Sequence, residues 1–290
     1  MRILFLDSPA FAKQDMIDAF EACNITCDLF FHKDYQERQS ADFEKCFLNA
    51  FQKKDYDLVF SFNYAPVLSR CCQKVNIKYV SYVYDSPLVA LYSCTLINPC
   101  NYVFLFDKAT YLTFHNAGIS TVHYLPLAAN VKRLTSMVCP DAVREKISSD
   151  VSFVGSLYNE DHNFYDRLHT ISDYTRGYLD SIMAAQQQIY GAFFLEQLLT
   201  PPILEDLQKC IPYSPMPDGT ESAAYVYANY FLCRKITSNE RLSLLKAASE
   251  QYSLKLYTHQ KCKELPNAEF MGTVDYYDTC LLYTSPSPRD

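Results

Sequence analysis

The tripeptide Asp-Ser-Pro occurs twice directly after an apolar run, at residues 7–9 and 85–87. A carboxylate beside a hydroxyl can accept a proton or hydrogen-bond a polar ligand, so both copies are candidate sites of acid–base chemistry. A competing interpretation is local, with Asp and Ser capping the next helix and Pro in its first turn. The neighbouring Tyr82, Tyr84 and Tyr92 favour a functional role for Asp85, because aromatic surface suits a sugar or a planar ring.

Other polar residues follow apolar runs in the same way. Asn63, Asp107 and Asn130 each stand at such a position. In parallel α/β sheets, ligands bind outside the carboxyl ends of the strands, so these side chains are candidate ligand contacts. Residues 155–158, Gly-Ser-Leu-Tyr, follow a later run, where a glycine permits close backbone approach and a nearby helix N-terminus could hold a diphosphate.

Composition excludes several functional classes. The 290 residues carry a net charge of −7 and no run of Lys or Arg, which argues against a nucleic-acid partner. The six glycines are too far apart for a P-loop or a G-x-G-x-x-G turn. The six histidines are dispersed without metal-ligand spacing, so no metal site is expected.

Twelve cysteines are scattered along the chain without a C-x-x-C pair. We expect reduced thiols, mostly buried as small apolar side chains. The apolar run at the N-terminus is too short for a signal peptide, and no stretch is long enough to span a membrane. The expected location is therefore cytoplasmic.

The first half alternates strand-like and helical patterns. Strands are predicted at 2–6, 27–31, 58–62, 78–84, 102–106 and near 121–125. Helices are predicted at 12–22, 67–74 and 108–116, and after Asp42, which is the expected N-cap of a helix that carries Phe43 and Phe47. Near-continuous apolar strands separated by helices predict a parallel sheet covered on both faces, which makes residues 1–130 a Rossmann-like domain.

The pattern changes after Asn130. Residues 131–150 are predicted to be a linker, and 151–280 a second, partial α/β domain with a helical insertion at about 163–235. Helices are predicted at 164–190, 201–210, 223–234 and from 238 to about 251, between strands at 151–154 and 253–257. The Pro- and Ser-rich residues 281–290 resemble translated adapter sequence and are expected to be a non-native tail.

Several of these segments together resemble the CgeB-like (spore-maturation type) bacterial glycosyltransferases. They are Asn63-Tyr64, the Tyr-Val-Tyr-Asp-Ser-Pro-Leu segment 82–88, and segments 98–104, 125–130 and 151–158. The resemblance covers about residues 1–280, including 256–259 and 272–277. It implies a GT-B architecture, in which two Rossmann-like domains face a cleft, the first receiving the acceptor and the second a nucleotide-sugar donor. Members of the family continue beyond residue 277, so the chain is expected to be truncated at its C-terminus.

The resemblance implies metal-independent transfer of a sugar from a nucleotide-sugar donor to an acceptor hydroxyl, without a further cofactor. An inverting transfer needs a group that deprotonates the acceptor, for which Asp85 is the first candidate and Asp7 the second. The remaining predicted contacts are Ser8, Asn63, Tyr64, Ser86 and Asn130 for substrate and Gly155, Ser156 and Tyr158 for donor. The alternative is a non-catalytic Rossmann-like module that binds a sugar or a nucleotide.

Overall fold

The structure, a computed structural model, describes residues 1–159, 163–275, 279 and 282. The chain divides into two compact units. Unit 1 comprises Met1–Asn130 and Pro215–Glu221, and unit 2 comprises Val131–Ser214 and Ser222–Asp290. Apart from residue 282, the predicted non-native tail lies outside the described residues, as do residues 276 and 277 of the family-like segments.

Unit 1 contains a six-stranded parallel sheet in the order β2-β1-β3-β4-β5-β6. The strands are β1 (Arg2–Leu6), β2 (Thr26–Phe30), β3 (Leu58–Phe62), β4 (Tyr79–Val83), β5 (Asn101–Leu105) and β6 (Val122–Tyr124). Each predicted strand is present with ends within one residue of the prediction. The α/β class and the parallel, Rossmann-like sheet are therefore confirmed.

Helices cover the two faces of this sheet unequally. They are α1 (Lys13–Ala22), α2 (Ala41–Phe51), α3 (Pro66–Val75) and α4 (Lys108–Asn116). Apolar residues of α2, α3 and α4 share one core with the strands, whereas α1 packs on the opposite face against Phe5 and Phe60. On that opposite face Tyr102 of β5 remains 38% exposed, so the predicted cover is incomplete there.

Two of these helices begin at side-chain caps. Ser40, in an extended conformation, accepts a hydrogen bond from the backbone N–H of Phe43 at 3.1 Å and caps α2. The prediction that Asp42 is this cap is wrong, because Asp42 already lies in the first helical turn. Asp107 caps α4 by accepting hydrogen bonds from two backbone N–H groups.

Residues 215–221 are joined to the rest of unit 1 by two ion pairs whose carboxylates are buried. Arg38 pairs with Glu221 at 3.1 Å, and Arg70 pairs with Asp218 at 2.9 Å. Gly219 leaves the room that this arrangement needs, since a Cβ there would stand 2.6 Å from the Glu221 carboxylate. The sequence patterns gave no indication that this segment belongs with the first 130 residues.

Unit 2 is built around a three-stranded parallel sheet in the order β7-β8-β9. Its strands are β7 (Val151–Val154), β8 (Leu254–Tyr257) and β9 (Glu269–Phe270). Its helices are α5 (Val131–Ser136), α6 (Asp141–Ile147), α7 (Asp173–Gln187), α8 (Leu195–Leu198), α9 (Pro201–Cys210), α10 (Ala223–Val226) and α11 (Cys233–Gln251). Helices α7 to α11 share an apolar core of their own. The segment predicted to be a linker contains α5 and α6.

Three predicted helices differ from the observed ones. The segment 164–190 contains a short 3-10 turn at Phe164–Arg167, and α7 begins only at Asp173, where Ser172 caps it by accepting from the Thr175 N–H. The helices predicted at 223–234 and 238–251 form one continuous helix, in which the π-helical segment Tyr227–Leu232 joins α10 to α11. Local periodicity does not reveal such a π segment, because it adds a residue to one turn.

The cysteines of the described part are free thiols, but the expectation that most are buried is wrong. Cys71, Cys72, Cys100 and Cys262 are buried, whereas the others are exposed or half-buried. Among the described residues, no helix combines the length and the apolar character that crossing a bilayer requires.

Candidate functional site

Four polar residues follow four neighbouring strands of unit 1. Asp7 directly follows β1 and Asn63 directly follows β3, whereas Asp85 and Asp107 lie two residues beyond β4 and β5. Because these strands are adjacent and parallel, all four residues leave the sheet at its carboxyl edge. Strands β2 and β3 lie on opposite sides of β1, so the direction in which the chain adds strands reverses at β1. Open α/β sheets bind ligands beside such a reversal, at the carboxyl ends of the strands.

Asn63 binds the end of β4 through both ends of its amide. Its Nδ2 donates to Asp85 Oδ2 at 2.6 Å, and its Oδ1 accepts from the backbone N–H groups of Tyr84 at 3.1 Å and Asp85 at 3.3 Å. The residue has φ +52°, a left-handed conformation that Asn adopts more readily than most residues. Asn63 therefore fixes the Asp85 carboxylate through one oxygen, and no described residue donates a hydrogen bond to the other oxygen.

Tyr84 connects the end of β4 with the turn after β1. Its ring packs edge-on against Phe62 at 5.4 Å, and its hydroxyl donates to the carbonyl of Pro9 at 3.5 Å. Burial, with the nearby charge of Asp85 and the phenol of Tyr35, raises the pKa of Tyr84 to about 12. The phenol therefore stays protonated at neutral pH and acts as a hydrogen-bond donor.

Asp7 differs from Asp85 because a cation already neutralises it. Its Oδ1 lies 2.6 Å from Lys13 Nζ, and the carboxylate is only 29% exposed. The adjacent Ser8 is buried. The capping interpretation fails for both Asp-Ser-Pro copies, since α1 begins only at Lys13 after an uncapped Ala12, and the 3-10 turn Val89–Tyr92 has no side-chain cap.

Ser86 joins the ends of β4 and β5. Its hydroxyl donates to Asp107 Oδ2 at 3.1 Å and lies 3.3 Å from Thr110 Oγ1. Burial raises the pKa of Asp107, but hydrogen bonds from Thr110, from the Ala109 N–H and from Ser86 outweigh it, so the pKa falls below the ordinary value. The carboxylate is thus ionised, and the Ser86 hydroxyl that was predicted to bind substrate is occupied by it.

The two other substrate contacts predicted in this unit lie elsewhere. Tyr64 is buried, and its hydroxyl hydrogen-bonds Thr95 Oγ1 at 2.8 Å and Asn101 Nδ2 at 3.2 Å. Burial raises its pKa to about 12. Asn130 donates to Asp15 of α1 at 2.9 Å. Neither residue is brought to the Asn63–Asp85 pair, and Tyr64 contributes to the core rather than to an accessible surface.

The linings of two cavities of unit 1 do not include Asp7, Asn63 or Asp85. One, of about 690 Å³, opens between α2, α3 and residues 94–98. The other, of about 330 Å³, is almost wholly apolar and lies on the sheet face that α1 covers. Asp85 itself is exposed at the strand ends.

In unit 2 the predicted donor contacts gather at the carboxyl end of β7. The N–H of Gly155 donates to the carbonyl of Tyr257 on β8 at 3.0 Å, and Gly155 has φ +146°, which non-glycine residues rarely adopt. Ser156 Oγ accepts from the Tyr158 N–H at 2.9 Å, and Tyr158 itself has φ +53°. The loop is thus a tight turn held by its own polar groups.

A residue of α11 that the sequence did not single out for this site holds the same turn. The guanidinium of Arg241 lies 4.8 Å from the centre of the Tyr158 ring and 5.5 Å from that of Phe153, and it donates to the carbonyl of Ser156. It places a permanent positive charge beside Gly155. Next to it in the sheet, β8 is followed by Thr258, which is 3% exposed and whose Oγ1 has no hydrogen-bond partner among the described residues.

Sequence reasoning missed Tyr84 as a connecting residue and Arg241 as part of the β7 turn. The position of Tyr84 between β4 and Asp85 was a sequence feature that could have indicated its role. Arg241 had no such feature, because more than 80 residues separate it from the turn that it contacts. Comparisons with protein-family models, with curated proteins and with solved structures found no match to this chain.

Proposed function

We propose that this chain acts in glycosyl transfer, moving a sugar from a nucleotide-sugar donor to an acceptor hydroxyl. One observation carries the proposal: Asn63 fixes one oxygen of Asp85 and leaves the other open at the carboxyl edge of the sheet. This is where α/β sheets bind ligands, and a positioned carboxylate is what deprotonation of a hydroxyl requires. The resemblance of the surrounding segments to CgeB-like glycosyltransferases supports the same reaction class.

Asp85 is the general base of the proposed reaction. As the acceptor oxygen forms a bond to the anomeric carbon, its proton passes to the open oxygen of Asp85, and the nucleoside diphosphate leaves with the electrons of the broken C–O bond. Asn63 is a positioning residue, since its amide restricts the rotation of the carboxylate. Asp7 is the weaker candidate, because its Oδ1 is already paired with the Lys13 ammonium at 2.6 Å.

In the same proposal, unit 2 binds the donor at the β7 turn. Gly155 allows close approach to the backbone, and Arg241 supplies positive charge beside it. A fixed guanidinium can offset charge that develops on a leaving diphosphate, so the reacting atoms need no metal ion. The proposed contacts are Gly155, Ser156, Tyr158 and Arg241.

The test is release of nucleoside diphosphate from a panel of nucleotide sugars, with and without simple hydroxyl acceptors. Asp85→Asn keeps the shape and the bond to Asn63 but cannot accept the proton, so turnover should fall by about 10²- to 10⁴-fold. Asp55→Asn is the matched control, because Asp55 is an exposed carboxylate of the same unit away from the strand ends. A D85N variant that stays within about tenfold of the unchanged chain would remove Asp85 as the base.

The same assay separates transfer from simple binding. If nucleotide sugars bind, as measured by calorimetry, but no nucleoside diphosphate is released under any acceptor condition, the chain is a binding module. Asp85 and Asn63 would then recognise hydroxyl groups, and Asp85→Asn would change the dissociation constant instead of the turnover.

A further inference from the structure

Three side chains with metal-binding atoms meet in unit 1, outside the strand-end site. They are His32, two residues beyond β2, and Asp42 and Cys46 of α2. One ligand atom from each lies within 4.8 Å of the other two. Asp42 and Cys46 are four residues apart and therefore share one face of the helix.

We infer that this His32–Asp42–Cys46 cluster binds a zinc ion. Thiolate and imidazole ligands favour a borderline or soft transition ion and disfavour Mg²⁺ and Ca²⁺, which prefer oxygen ligands. His32 Nε2 lies 3.2 Å from Asp42 Oδ2. Two ligands on a tetrahedral Zn²⁺ with bonds of about 2.05 Å stand about 3.3 Å apart, so this spacing fits an ion bound between them.

The fold holds the three ligands in place before an ion arrives. Helix α2 is capped by Ser40 and anchored by Phe43 and Phe47, which are both fully buried. The ring of Phe43 also packs edge-on against His32 at 5.3 Å. Asp42 directly precedes Phe43, and Cys46 directly precedes Phe47. The core therefore fixes the orientation of the helix face that carries both ligands.

The surroundings of His32 supply the partner that a zinc-bound imidazole needs. Nδ1 accepts the Asp34 N–H at 3.2 Å, an arrangement that requires the proton of a neutral ring to be on Nε2, which faces Asp42. Binding of zinc at Nε2 moves this proton to Nδ1, where Asp34 Oδ2 stands 4.0 Å away and is itself held by the Ser40 hydroxyl at 2.7 Å. A side-chain movement of about 1 Å would bring the Asp34 carboxylate within hydrogen-bond distance of Nδ1. A carboxylate in that place is the usual support of zinc-bound histidine.

Binding of one zinc ion releases one proton from the protein to solvent. The Cys46 thiol gives its proton to solvent and becomes a thiolate, the ring proton of His32 only changes nitrogen, and Asp42 binds as a carboxylate. Asp42 is 67% exposed, so water can reach the ion and complete the tetrahedron. A zinc ion bound in this way would tie the end of β2 to α2.

The inference is tested by adding Co²⁺, and then Zn²⁺ in competition with a chromophoric chelator, to the whole purified chain under reducing conditions. Wild type should bind one ion per chain, and cobalt should show visible tetrahedral bands and a near-ultraviolet thiolate band. Cys46→Ser should remove the thiolate band, whereas the control Cys23→Ser, at an exposed cysteine of the same unit, should keep it. Asp42→Asn should weaken binding, while Asp18→Asn on α1 should not.

Asp34→Asn is a second test, in which all three proposed zinc ligands are kept. Loss of this supporting carboxylate should weaken zinc binding by about 10- to 100-fold while the cobalt thiolate band remains. Circular dichroism without metal shows whether each variant is folded. A thiolate band that survives Cys46→Ser, or that disappears equally in Cys23→Ser, would overturn the inference, and so would the absence of one-to-one binding by the folded wild type.

Discussion

Replacing Asn63 with glycine removes the side chain that ties β3 to β4 without straining the backbone, since glycine accepts φ +52°. Three hydrogen bonds are lost, two to backbone N–H groups and one to the Asp85 carboxylate. Each contributes about 1 kcal/mol net, and water can reach the exposed carboxylate, so the expected loss is about 2 to 3 kcal/mol.

Asn76 provides the matched control. It has φ +53° at the end of α3, and its side chain makes no hydrogen bond with a described residue. Asn76→Gly carries the same entropic cost of a more flexible unfolded chain, about 0.4 to 1 kcal/mol, but loses no hydrogen bond. The difference between Asn63→Gly and Asn76→Gly therefore isolates the three contacts of the Asn63 amide.

The assay is amide hydrogen exchange of peptides that cover β4, because local opening can be measured without assuming that the two units unfold together. A loss of about 2 to 3 kcal/mol makes these amides exchange about 30- to 150-fold faster in Asn63→Gly than in Asn76→Gly. Equal exchange in the two variants would refute the conclusion that Asn63 fixes the end of β4. It would also remove the structural basis for a positioned Asp85.

Three further predictions concern Asp107, Tyr64 and Arg241. Asp107→Ala should cost about 1 kcal/mol at neutral pH through loss of the α4 cap, measured by hydrogen exchange of α4. Because the folded-state pKa of Asp107 is lowered, this contribution is present above the unfolded pKa and is lost as the pH falls through the folded one. The gap between wild type and variant should thus close below about pH 4, and a constant gap would contradict the assignment. Tyr64→Phe should cost about 1 kcal/mol, because two buried hydrogen bonds are lost while Thr95 Oγ1 keeps its bond to Ser93 and Asn101 Nδ2 keeps two backbone carbonyls. Transfer and nucleotide-sugar affinity should stay unchanged, and a selective loss of affinity would restore Tyr64 as a substrate contact. Arg241→Lys keeps the charge but loses the planar stacking on Tyr158. Amide hydrogen exchange at residues 155–158 should therefore rise nearly as much as in Arg241→Ala. If the lysine variant keeps the full protection of these amides, charge alone matters.

Much of the fold could be predicted because its determinants are local. Strand bounds in unit 1 follow from short apolar runs, and α4 was predicted at its observed bounds. The errors arise where a distant contact or a register change decides the structure. The π segment inside the long helix of unit 2 and the place of residues 215–221 in unit 1 are examples.

The candidate sites divide in the same way. The sequence placed Asp7, Asn63 and Asp85 at strand ends, and parallel pairing of neighbouring strands was enough to bring them to one edge. It could not show that Lys13 neutralises Asp7 or that the Ser86 hydroxyl binds Asp107, because these depend on side-chain directions after folding. The dispersed histidines argued against a metal site, yet the cluster at His32 has one histidine with an aspartate and a cysteine from α2.

The order of apolar and polar residues by itself determined the α/β class and the row of polar strand ends. The reason is that buried positions recur along the sequence with the period of a strand or of a helix, so the pattern can be recognised without the tertiary structure. Tertiary structure alone decided which of these polar groups remain available for chemistry. A carboxylate changes from an open base to a neutralised ion when a cation comes within 3 Å, and that distance is set by packing rather than by spacing along the chain.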